Sequence, residues 1–371
     1  MEFELSEEQV EFQKNIRRVI SERSPLPIVR EVVKTESGWD AELWAQMSEQ
    51  MGLPGLLVPE EYDGAGATLS EATLVMEELG RGLVPSPFFA TTAFGVVPIL
   101  TFGTEEQKAS LLPAIAAGEV TVTTALTEPS GNWGPDGVTM TAVSAAGGVT
   151  LTGTKAFVID GHTADTIIVV ALTGKDQYGL FLVDGDAAGL TRTKVTTLDL
   201  SRPMATLEFN KVAATALGEP GNWDRISHVL DVASTLLSGE MVGSMEAAMI
   251  MAVEYAKIRY QFGRQIGSFQ GIKHRCSEMA VEVDTARAAT MYAAFVGSEG
   301  SDELATAALI ARATASTGLG FTVSWNVQIH GGIGFTWDHD AQLYYRRGKA
   351  DELLLGSASE AWMTLADRVG I

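Results

Sequence analysis

"VTVTTALTEP", Val120–Pro129, is the stretch on which the fold turns: six of its ten residues are valine or threonine. β-Branched side chains pack well on a pleated surface and lose rotamer freedom in a helix. The same character returns in "GVTLTGTKAFVID" (Gly148–Asp160), "DTIIVVALT" (Asp165–Thr173), "YGLFLVDGD" (Tyr178–Asp186) and "ATLEFNKVA" (Ala205–Ala213). Gly, Asp and Asn punctuate these runs, and no helical period intervenes. The pattern predicts an antiparallel sheet or barrel, not a Rossmann unit of alternating strands and helices.

Outward from this run the chain reads as helix on both sides. "LSEEQVEFQKNIRRVI" (Leu5–Ile20) sets Ser6 three residues before Gln9, and "TEEQKASLLPAIAAGE" (Thr104–Glu119) repeats the spacing with Thr104 and Gln107. Such capping boxes satisfy two otherwise orphaned amides. Between them "GLPGLLVPEEYDGAGATLSEATLVMEELGRG" (Gly52–Gly82) is a turn-rich loop running into another helix. After the strands, three long apolar-rich segments, Ile226–Phe262, Phe269–Gly300 and Ser301–Gly331, are joined by short loops and suggest a bundle. The expected fold is α+β: an N-terminal helical domain (1–118), a central antiparallel β domain (119–222) and a C-terminal helical bundle (223–371).

Composition narrows the function. The chain has 371 residues, 46% hydrophobic and 20% charged, which allows two or three packed units of ordinary globular character. A net charge of −21 argues against a nucleic-acid-binding face and against a polybasic membrane anchor. The acidic start "MEFELSEEQ" does not read as a signal peptide, and no apolar run is expected to span a bilayer. Cys276 stands alone, so no internal disulfide forms, which suits a cytoplasmic location. Five histidines and one cysteine, none at ligand spacing, leave no metal site.

Two motifs can carry chemistry. "QIHGGIGF" (Gln328–Phe335) places paired glycines at a helix end, where free amides can face phosphate oxygens; a plain glycine cap reads the same way. "RYQFGRQIGSFQ" (Arg259–Gln270) closes a long helix. Its Arg259 and Arg264 can meet a pyrophosphate, Phe262 a flat ring, and Gln270 a ribose or base edge. Cations answering the helix dipole are the alternative reading.

Together, "YAKIRYQFGRQIGSFQGIKHR" and "VQIHGGIGFTWDHDAQLYYRRGKA" resemble the acyl-CoA dehydrogenase family, as do "GLLVPEEYDGAG", "LVMEELGRG", "LLPAIAAGE" and "ALTEP", in that family's order. The resemblance covers almost the whole chain, and it implies an N-terminal helical domain, a central β domain and a C-terminal four-helix bundle. It implies an FAD enzyme, usually tetrameric, in which a carboxylate removes the α-proton of an acyl-CoA while hydride leaves the β-carbon for the flavin. The product is a 2-enoyl-CoA, and an electron-transferring flavoprotein takes the electrons.

In that family each flavin site is shared by two subunits. The half lent to a neighbour is matched here by Arg259, Phe262, Gln270, Gln328, Gly331 and Gly332. The half that holds a chain's own flavin ring is matched by Thr127 and Glu128, but "SGNWGPDG" replaces the usual glycine-rich turn. "AFVIDG" supplies Phe157, Ile159 and Asp160 where the family has an aromatic, a threonine and an asparagine, and Ile159 has no hydroxyl. The base position before Gly356-Ser357 is Leu355, and the alternative position on the long helix is Ala233.

Glu240, seven residues after Ala233 on nearly the same helix face, is the candidate substitute base. As an unpaired acid among Leu236, Leu237, Met241 and Val242 it would have a raised pKa; a buried acid paired with an arginine is the alternative. Asp351 and Glu352 read as capping or solvated, and Asp338 and Asp340 as parts of a structural turn. The small residues Ala233, Ser234, Ser238, Gly239 and Gly243 either leave room for a wide substrate or let helices pack closely. Ser234 also replaces an arginine that many relatives place near the CoA or thioester.

The expected protein is therefore a subunit of an acyl-CoA dehydrogenase that completes a partner's flavin site in a hetero-oligomer. A self-sufficient homotetramer with Glu240 as base is the alternative, and an acyl-CoA oxidase a more distant one.

Overall fold

Ser6 and Thr104 each accept a bond from the amide three residues on, with Gln9 and Gln107 reaching back, so both expected capping boxes form. The computed structural model describes residues 5–145 and 148–371; Met1–Glu4 of the acidic start lie outside the described residues. In chain order come α1 (Glu7–Arg23), α2 (Leu26–Val32), α3 (Ala41–Ala45), α4 (Leu69–Gly82), α5 (Phe88–Thr91), α6 (Val97–Phe102) and α7 (Glu105–Ala116). The strands are β1 (Val122–Ala125), β2 (Ala142–Ala145), β3 (Gly148–Ile159), β4 (Thr166–Gly174), β5 (Gln177–Asp184), β6 (Leu190–Val195) and β7 (Met204–Ala216). Then follow α8 (Trp223–Ile258), the short β8 (Tyr260–Gln261) and β9 (Arg264–Gln265), α9 (Gln270–Ser298), α10 (Leu304–His330), α11 (Ala341–Asp351) and α12 (Ala358–Val369).

The chain divides into two compact units. One comprises Val32–Thr68 and Pro85–Ala233 and contains the sheet. Its strands run β1-β4-β5-β7-β3-β2, with β6 also on β7. All pairs are antiparallel except β1 with β4, so the sheet is mixed. Its core is Leu151, Ile167, Val169, Phe181, Leu207, Phe209 and Val212, contributed by alternating positions of β3, β4, β5 and β7. β3 loses register with β7 between Lys155 and Val158, and Phe157 within that break has φ 57°.

The other unit comprises Met1–Glu31, Leu69–Val84 and Ser234–Ile371 and is helical among its described residues apart from the short β8–β9 hairpin. Here α4 lies directly against α8. A Cβ at Gly239 would stand 2.8 Å from Thr73 O, and one at Gly243 would overlap Glu77 O. These small residues therefore serve close helix packing. The contact also brings together Glu77, Glu78 and Glu246 with Arg17, Arg81 and Arg287, a charge network on α1, α4, α8 and α9.

Against the expectation that no apolar run could span a bilayer, α8 has the length and composition to do so. Within the protein, 67% of its apolar window is buried, which marks it as a core helix.

Candidate functional site

The end of the helical unit is built around a small core of Ala252, Ala256, Met279 and Ile329, onto which Tyr255, Ile266 and Ile272 pack. That core draws the end of α8, the start of α9 and the end of α10 to one place. The residues expected to serve a cofactor surround it. Arg259 follows α8, its amide bonded to Tyr255 O, and its side chain is exposed. Phe262 and Gly263 turn the β8–β9 hairpin with φ 53° and 79°, both left-handed, as a tight hairpin of this hand requires. Phenylalanine is a strained choice there, and its ring is 91% exposed. Arg264 stacks on Phe269, 4.0 Å from the ring centre, and exposed Gln270 opens α9.

On α10, exposed Gln328 precedes His330, which stacks on Tyr255 and bonds through Nδ1 to Asn326 O. Gly331 has φ 65°, and a Cβ at Gly331 or Gly332 would meet nothing within 4 Å, so the loop faces open space. Residues 258–277 contain four Lys or Arg and no acid, in a chain of net charge −21. An open glycine loop, exposed guanidinium groups and a projecting aromatic ring fit a group that joins phosphates to a flat ring.

The strand unit offers less. Thr127 is buried, and its hydroxyl already donates to Ala156 O at 2.5 Å. Glu128 is spent on structure: it accepts from the amides of Thr139 and Met140, from the Thr139 hydroxyl and from the buried Lys155 ammonium at 2.9 Å. Burial works against the Glu128 carboxylate, but these bonds and the lysine charge outweigh it and hold its pKa below the ordinary value. Burial depresses Lys155 to about 8 despite its partner. Ile159 is buried on β3, whereas Phe157 is 43% exposed.

The expected base positions hold no base. Ala233 is buried on α8, and Leu355 adopts φ 63° in the turn between α11 and α12. Glu240 is not the unpaired acid imagined from its apolar neighbours, for the buried Arg347 on α11 meets its carboxylate. This pair joins residues 107 apart in the chain, and no local pattern announces it. Asp351 is fully buried, not solvated, while Glu352 pairs with Lys349. Asp340 is bound by Arg30 at 2.8 Å, as a structural turn requires. Sequence reasoning also passed over Arg312, which reaches the carbonyls of the 351–356 turn.

Four of the eight left-handed non-glycine residues among those described, Phe157, Asp160, Phe262 and Leu355, occupy positions the resemblance had marked for the site. Such strain persists where the surrounding structure imposes it, and it clusters at functional sites.

Family models for the N-terminal, middle and C-terminal domains of acyl-CoA dehydrogenase match residues 6–119, 123–212 and 223–370. The chain belongs to the acyl-CoA dehydrogenase family. Its members are FAD-dependent oxidoreductases. Acyl-CoA dehydrogenase IpdE2 of Mycolicibacterium smegmatis is 32% identical over 356 residues, covering 96% of this chain and 97% of that protein. A variant of the Tcur3481-Tcur3483 steroid ACAD has a solved structure with TM-score 0.89 and 33% identity, each chain covered to 98%. The ChsE4-ChsE5 complex of Mycobacterium tuberculosis superposes with TM-score 0.90 at 26% identity, covering 100% of this chain and 99% of that one. Across the three matched domains the chain keeps the fold of the acyl-CoA dehydrogenase family.

Proposed function

We propose that this chain is the flavin-site-completing subunit of a hetero-oligomeric, FAD-dependent acyl-CoA dehydrogenase that converts an acyl-CoA thioester to the 2-enoyl-CoA. The observation that carries the reading is an asymmetry between its two half-sites. The helical end presents Arg259, Phe262, Gln270, Gln328, Gly331 and Gly332 to open surroundings. In the strand unit the Thr127 hydroxyl is committed to Ala156 O and residue 159 is isoleucine. Neither usual base position holds an acid.

FAD, when bound, supplies the hydride acceptor of the family's reaction. The work of this chain is then binding and orientation. Arg259 and Arg264 would neutralise phosphate charge, and the open side of the Gly331–Gly332 loop would admit phosphate oxygens, the Gly331 amide itself being held by Val327 O and Gln328 O. Gln270 and Gln328 would offer amide groups, and Phe262 would pack on a ring. A related subunit supplies the carboxylate that takes the α-proton. Exposed Ile258, Tyr260, Phe262, Phe335 and Trp337 favour assembly over life as a monomer.

The division into domains 1–118, 119–222 and 223–371 is supported by the three family matches. An electron-transferring flavoprotein as acceptor and a cytoplasmic location complete the reading, the latter supported by the lone Cys276. Because one structural relative is named a steroid ACAD, sterol-derived acyl-CoA thioesters are the first substrates to try.

The test is the FAD content of the chain expressed alone and with a companion subunit, read from flavin absorbance. Almost none alone, rising to about one per site on co-expression, is expected. About one per chain when expressed alone would replace this reading with a self-sufficient homo-oligomer.

A further inference from the structure

Leu355 and Gly356 follow one another in left-handed conformations, φ 63° and 94°. For a leucine this conformation is strained, because Cβ crowds the following carbonyl. Nothing in the residue itself asks for the turn, so the surroundings must hold it.

Arg312 on α10 is 2% exposed, and the two N–H groups of its Nη2 are shared among Asp351 O at 2.9 Å, Leu354 O at 2.5 Å and Gly356 O at 2.6 Å, with Glu352 O at 3.4 Å. Its Nη1 lies 3.9 Å from Met241 Sδ. These carbonyls include the last of α11, which no helical amide reaches. On the far side, Ser357 caps α12 in a capping box with Glu360, so both ends of the turn are fixed while its middle leans on the arginine. Burial lowers the Arg312 pKa to about 10, yet the group stays cationic at neutral pH, with Asp351, Glu352 and Glu360 favouring the charge.

We infer that Arg312 is the positioning residue of the 351–356 turn, and that it aims the side chain at 355 by overriding the backbone preference of that side chain. Position 355 takes its meaning from the proposed dehydrogenase reading, whereas the shape of the turn does not depend on any flavin or partner. The arginine fixes the backbone geometry of position 355, which the resemblance marks for a base and where this chain carries leucine.

The experiment is hydrogen exchange of the amides at 353–357, followed by mass spectrometry, in the full chain and in R312K, R312M, L355N and R312M/L355N. Asparagine tolerates the left-handed region. R312K should stay within about threefold of the parent rate, because an ammonium can still bind clustered carbonyls. R312M should exchange at least about tenfold faster in the turn, with α9 and the rest of α10 unchanged. R312M/L355N should return toward the parent rate.

Unchanged exchange in R312M would overturn the assignment. So would a rate in R312M/L355N as fast as in R312M, since a purely packing role is indifferent to the residue at 355. If R312M fails to fold, R312Q and R312K carry the comparison, and equal rates in the two would likewise overturn it. Failure of the dehydrogenase reading shows separately, in the flavin content.

Discussion

Glu240 and Arg347 show how one residue is read differently from its neighbours in sequence and its neighbours in space. Along α8 the glutamate stands among Leu236, Leu237, Met241 and Val242, all buried, and reads as an acid in an apolar slot. Across the unit, a guanidinium 1% exposed on its side chain meets a carboxylate 4% exposed. Such a pair is weak evidence of stability, yet breaking it leaves a buried charge without its partner. Glu240→Gln should therefore lower stability by about 3–5 kcal/mol in urea unfolding. In the co-expressed assembly, the E240Q subunit should leave bleaching by acyl-CoA intact once it is folded at low temperature. Loss of bleaching with the flavin still bound would return Glu240 to the chemistry.

At the scale of elements, β3 joins the strand unit's electrostatics to its strain. Lys155 on β3 reaches Leu126 O and Glu128, and two residues later Phe157 breaks the register. The Glu128–Lys155 pair predicts two limbs of pH dependence. Glu128 has a folded pKa below its ordinary 4.5, so its contribution is complete above that value and is lost as pH falls through the lower one. Lys155 has a folded pKa near 8 against 10.5, so the folded state sheds this proton first and stability rises between those values. Urea unfolding followed against pH should show both limbs, and E128Q/K155M should flatten both. A double variant with the parent profile would mean other groups dominate.

Much of the element plan was legible in the chain because its signals are local. The capping boxes at Ser6 and Thr104, the β-branched runs and the glycine ending α10 each work within a few residues. What escaped sequence reading is long-range. The third capping box at Ser357 lay in a stretch read for its acids, and the parallel β1–β4 pairing follows from how the sheet closes, not from either strand. Likewise, the site residues of the helical end could be named by resemblance. Their convergence depends on Ile266, Ile272 and Ile329 meeting in one core, and nothing local records that.

For the molecule as a whole, the stretch 258–277, free of acid in a chain of charge −21, bears on rates as well as affinity. Two such chains approaching each other repel, and salt screens that repulsion within a Debye length of about 8 Å at physiological ionic strength. A polyanionic cofactor approaching the basic stretch is instead guided toward it, and salt weakens that guidance. Subunit association, followed by light scattering, should therefore quicken as salt is raised, whereas capture of FAD by the assembled apoprotein, followed by stopped-flow fluorescence, should slow. Arg259→Gln should flatten the second dependence and leave the first unchanged. Parallel salt responses would mean that the basic stretch is not where the anion arrives. If they diverge, ionic strength decides which step limits maturation, assembly in a dilute compartment and cofactor capture in a salty one.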